Sequence, residues 1–167
     1  MEDLPSQEKL ISFEDLASAK GYSPQRPNRG DFKNVSHILK AKGSNGKPIN
    51  LRFDVKKIKN LKQSQDWMWI EFKNSNGELG WVHGDSHFVV FERNLDFVVV
   101  NRKELLQMLS SGKKVRYDLP FVNLAKKAKY RIYKRAGKKE EITQINIKDI
   151  KSLESCQIWF KKDAASE

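Results

Sequence analysis

The stretch Ile49-Asn50-Leu51-Arg52-Phe53-Asp54-Val55-Lys56 alternates apolar and polar side chains, the pattern of a strand with one face toward a core. Leu51, Phe53 and Val55 take that face, and Arg52, Asp54 and Lys56 share the other. The preceding segment, Gly43-Ser44-Asn45-Gly46-Lys47-Pro48, carries the Asn-Gly pair of a tight hairpin turn, so residues 35–42 read as the antiparallel partner. A second run, Trp67-Met68-Trp69-Ile70-Glu71-Phe72-Lys73, sets Glu71 and Lys73 on one strand face. An acid and a lysine two residues apart on such a face can hold a metal ion and a reacting phosphate side by side. The plain alternative is a solvated ion pair.

Charge narrows the choice of partner. The 167-residue chain carries a formal charge of +11, and that excess is zoned. Residues 113–139 contain eleven Lys or Arg against Asp118 alone, and residues 40–62 contain eight against Asp54 alone. Tyr117, Phe121, Tyr130 and Tyr133 are interleaved with the first block, which suits a phosphate backbone and unstacked bases. Lys57, Lys59, Lys113, Lys114, Arg116, Lys126, Lys127, Lys129, Arg131, Lys134 and Arg135 are therefore the expected nucleic-acid contacts. A single cysteine, Cys156, excludes an internal disulfide and a cysteine zinc cluster. No apolar run approaches the ~20 residues of a membrane span. The acidic opening, Met1-Glu2-Asp3-Leu4-Pro5, lacks the apolar core of a signal peptide. The chain reads as soluble and cytoplasmic, in a host cytoplasm if viral.

The remaining elements follow from local signals. Residues 1–30 form a polar segment with a short helix over 13–20, capped by Ser12. Strands are expected at 87–92 and 96–100, where Phe97-Val98-Val99-Val100 is continuously apolar, as a strand covered on both faces should be. Asn101 with Glu104 opens a helix whose stripe is Leu105, Leu106, Met108 and Leu109. Residues 31–112 read as the core and 113–167 as a basic extension packed on the same domain. That extension offers a hairpin (129–135 with 140–147), a short helix and a last strand at 157–161. The class is α+β with an α/β-like core, a mixed central sheet flanked by a few helices.

Residues 34–109 resemble the PD-(D/E)xK nuclease superfamily, in particular its small phage-type and resolvase-like members. The similarity is carried by Arg52-Phe53-Asp54-Val55-Lys56-Lys57, by Trp67-Met68-Trp69-Ile70-Glu71-Phe72-Lys73-Asn74, by Gly80-Trp81, and by the strands and helix that follow. The resemblance implies a restriction-endonuclease-like sheet, Mg²⁺ or Mn²⁺ as cofactor, and hydrolysis of DNA, including branched or single-stranded regions. In one register Asp54 fills the acidic slot and Lys56 the lysine slot, with Glu71 on the neighbouring strand. In the other, Asp54 is the first acid and Glu71 with Lys73 the motif pair. Asp54, Glu71 and Asp31 are the implied metal ligands. The chain departs from the pattern at Ser36 and His37, where a first acid belongs, and at His87, where related sequences carry Asp.

Three alternatives stand beside this reading. A nuclease fold without hydrolysis would act as a nucleic-acid-binding protein, and a phage factor could instead dock on a host protein. His83, Asp85 and His87 alternate along one segment and, with His37, form a donor set for Mn²⁺ or Zn²⁺. Cutting two strands calls for two centres, so a homodimer is a further expectation.

Overall fold

The computed structural model describes residues 11–60 and 62–164; the first ten residues of the polar N-terminal segment, Leu61 and the last three residues lie outside it. The chain opens with α1 (Phe13–Ala19), where the Ser12 hydroxyl accepts the Asp15 N–H at 3.1 Å and Glu14 and Asp15 occupy the first turn. Phe13, Leu16 and Ala17 fall at helical spacing and are buried.

Beneath α1 lies a six-stranded sheet of β1 (Ser23–Gln25), β2 (His37–Lys42), β3 (Pro48–Lys56), β5 (Phe88–Glu92), β6 (Asp96–Asn101) and β8 (Gln157–Phe160), in that spatial order. Neighbours are antiparallel except β3 and β5, which run parallel with Asp54 opposite Val89. A parallel pair needs a long crossover. Here the crossover carries β4 (Trp67–Lys73), which leaves the main sheet and pairs antiparallel with β7 (Glu141–Asn146). Glu71 is therefore not on the strand next to β3, as the strand order had suggested. Alternation fixes which face a side chain takes but not which strand lies beside it.

The two faces of the main sheet bury separate cores. Phe53, Val55, Val90, Phe97 and Val99 pack on α1 and Trp159, whose ring stacks on Phe13 at 5.6 Å. Val89, Phe91, Val98 and Val100 meet β4, β7, α2 (Arg102–Ser110) and α3 (Ile147–Lys151). Leu105 and Leu109 are the buried stripe of α2, and Asn101 caps it by accepting the Glu104 N–H at 3.0 Å. The fold is α+β.

The C-terminal hairpin expected between 129–135 and 140–147 gives way to the β4–β7 pairing. Residues 129–135 form no strand and meet β7 through isolated bridges, Lys129 with Gln144 and Tyr133 with Ile142. Tyr130 sits at φ 59, outside any regular strand. Its hydroxyl donates to Asp149 and accepts the Asn146 N–H at 3.0 Å, tying this bend to α3.

Candidate active site

Asp54 lies between Phe53 and Val55, which face α1, so its carboxylate points to the other side of the sheet. That side is covered, and Asp54 is 5% exposed. Lys56, two residues on, places Nζ 2.9 Å from Asp54 Oδ2 and 4.5 Å above the Trp81 ring. That contact gives the buried Oδ2 a charged partner, the Lys56 ammonium. Burial pushes the Asp54 carboxyl above its ordinary range despite the opposing charge of Lys56.

Glu71 reaches the same place from the second sheet. Its Oε1 accepts the Trp81 N–H at 3.3 Å. Burial raises its pKa; the Trp81 N–H and Lys56 oppose this, while Glu140 and Asp54 add to it. Lys56 thus stands within electrostatic reach of both carboxylates. Gly80 makes the approach possible: a Cβ there would lie 2.3 Å from the Glu71 carbonyl oxygen and 2.8 Å from Glu71 Cγ. The Gly-Trp pair is a close-contact requirement rather than a turn requirement. Lys56, Glu71 and Trp81 line a cleft of about 620 Å³ whose walls include Lys57, Lys59, Trp69, Glu92 and Glu140, while Asp54, buried beside Lys56, is not part of the lining.

The structure separates Glu71 from Lys73. The β4–β7 register shifts between them, and Lys73 pairs with Glu141 at 3.1 Å in a different groove, beside Phe72 and Leu79. Of the two motif registers, the one joining Asp54, Lys56 and Glu71 is the one brought together. Asp31 is exposed and does not line the cleft.

Among the described residues no group of three or more His, Cys, Asp or Glu is placed to hold a metal ion. The histidines are engaged elsewhere. His37 is buried between Glu14 and Ser36, at 2.8 Å from the Ser36 hydroxyl. His87 Nδ1 accepts the Arg52 N–H at 2.9 Å, and Asp85 Oδ2 accepts the Lys33 N–H at 2.8 Å. His83 belongs to a 3₁₀ turn, not an extended segment. Asp54 and Glu71 remain as a two-carboxylate set, which suits a Mg²⁺ ion that keeps most of its waters.

The basic residues divide in use. Lys57 and Lys59 wall the cleft. Arg116 forms a two-point pair with Asp118 (2.9 and 2.8 Å), Lys114 pairs with Asp149 at 2.8 Å, and Arg135 lies 3.9 Å from Glu140. Arg131 donates to the Pro120 carbonyl at 2.8 Å. Lys129 covers Trp67 and Lys134 covers Phe121, while Lys113, Lys126 and Lys127 are exposed. Sequence reasoning missed Glu92, whose Oε1 accepts the Ile58 N–H at 3.2 Å and whose Oε2 meets the fully buried Lys161 at 2.7 Å. That pair anchors the start of the loop bearing Lys57 and Lys59; no local signal marks a lysine in Phe160-Lys161-Lys162 as buried.

No protein-family model, no curated protein and no solved structure matches this chain. No helix among the described residues is long and apolar enough to cross a membrane.

Proposed function

We propose that the protein is a metal-dependent DNA endonuclease of PD-(D/E)xK type, its centre formed by Asp54, Lys56 and Glu71. The observation that carries this reading is that Lys56, paired with the buried Asp54, shares a cleft with Glu71, Lys57 and Lys59. Asp54 and Glu71 would hold Mg²⁺ or Mn²⁺. A bound divalent ion supplies charge neutralisation at phosphoryl oxygens and a more acidic water. Lys56, held over Trp81, stabilises negative charge developing on the scissile phosphate. Lys57 and Lys59 grip neighbouring phosphates and set the backbone in the cleft. The test is cleavage of labelled linear, branched and single-stranded DNA with Mg²⁺ or Mn²⁺. Asp54→Asn should abolish cleavage and preserve binding; cleavage undiminished in Asp54→Asn refutes the assignment.

A second reading, a nucleic-acid-binding protein without hydrolysis, is favoured by one observation: Lys56 already neutralises Asp54, and no third carboxylate joins the pair among the described residues. Salt-sensitive binding with no cleavage of any of these substrates by the wild type selects it.

A further inference from the structure

The outward face of the β4–β7 sheet carries a feature that phosphate binding does not use. Strand parity sends Met68 and Ile70 into the core and turns Trp67 and Trp69 outward. The two indoles are treated differently. Trp67 is flanked by Tyr130 at 5.7 Å and covered by the Lys129 ammonium at 4.5 Å. Trp69 is 39% exposed, and among the described residues no cation lies over its ring. Tyr133 braces it from one side, with ring centroids 6.0 Å apart. Trp69 also lines the same cleft as Lys57, Lys59 and Glu71. An open indole face thus stands beside lysines suited to phosphates.

We propose that Trp69, braced by Tyr133, is a stacking platform for an unpaired base, so that the cleft's ligand is single-stranded or frayed nucleic acid rather than continuous duplex. This rests on the nucleic-acid reading above. In a duplex the base faces are covered by their neighbours and only backbone and groove edges are offered, so the indole face would gain nothing. In a single strand every base has a free π-face, and an aromatic side chain takes it whatever the sequence. The lysines on the same cleft meet the phosphates flanking that base, which is the charge complement such a strand requires.

The test uses the full chain in EDTA, with fluorescence anisotropy on three labelled ligands of equal length: oligo-dT, an abasic sugar-phosphate strand and a blunt duplex. Trp69→Ala should weaken dT binding about 5- to 150-fold, leave abasic and duplex binding within about two-fold, and abolish any preference for dT over the abasic strand. Trp69→Phe should restore most of the dT affinity, which guards against a folding defect in the alanine variant. Equal weakening toward all three ligands, or unchanged dT binding, overturns the platform while leaving phosphate binding intact. Failure of the wild type to bind any ligand overturns both readings.

Discussion

Removing either partner of the Asp54–Lys56 pair should have opposite effects on stability. Asp54 is 5% exposed, whereas the Lys56 side chain keeps 31% of its surface in water. Replacing Lys56 with Met strands a buried carboxylate, at a cost of about 3 kcal/mol at neutral pH. For a chain of this size that lowers Tm by about 6–12 °C. Replacing Asp54 with Asn removes the buried charge, and the freed ammonium can turn to solvent, so stability should hold or rise by about 1 kcal/mol. The pH dependence supplies the sign. Burial raises the folded Asp54 pKa above its unfolded value, so its contribution is most favourable at acid pH and is lost as pH rises through the folded pKa. The Lys56→Met deficit should therefore shrink as the pH is lowered from neutral into the acid range, because a protonated Asp54 has no charge to strand. Calorimetric unfolding of both variants across that range measures this. Equal Tm losses in the two variants at neutral pH, or a Lys56→Met deficit that is flat with pH, would refute the reasoning.

Three further outcomes follow from the geometry. Gly80→Ala places a Cβ against the Glu71 backbone and should destabilise by about 1–3 kcal/mol in urea titrations. Glu92→Ala should cost about 3–5 kcal/mol by leaving Lys161 buried and unpaired, and pairing it with Lys161→Met should recover most of that loss, as a double-mutant cycle can test. At Glu14, burial pushes the carboxyl up, but the hydrogen bond and charge of His37 outweigh it and hold the pKa at about 2. Its contribution is complete above the ordinary carboxyl value of 4.5 and fades as pH falls toward about 2, so Glu14→Gln should flatten the acid limb of stability against pH.

Local signals reveal much of this fold, and long-range ones little. Ser12 and Asn101 stand where they cap helices, the Asn45-Gly46 turn joins β2 to β3, and the apolar run 97–100 is a strand buried on both faces. Each is written within a few residues. The β4–β7 pairing joins segments far apart in the chain and leaves no local trace. Parity correctly placed Asp54 and Lys56 on one face; it could not tell that Trp81 would cover that face. Lys73 shares nominal parity with Glu71, but the register shift after Glu71 sends it to Glu141. Asp31 entered only as the acid nearest Ser36 and His37, and its loop leaves it exposed and outside the cleft.

The partner that positions Glu71 is β7, which follows Asp54 and Lys56 far downstream in the chain. During synthesis on the ribosome the early groups emerge long before their counterpart strand does, and a non-local pairing of this kind forms late. A translation product ending before β7 would thus display the lysines without the finished cleft.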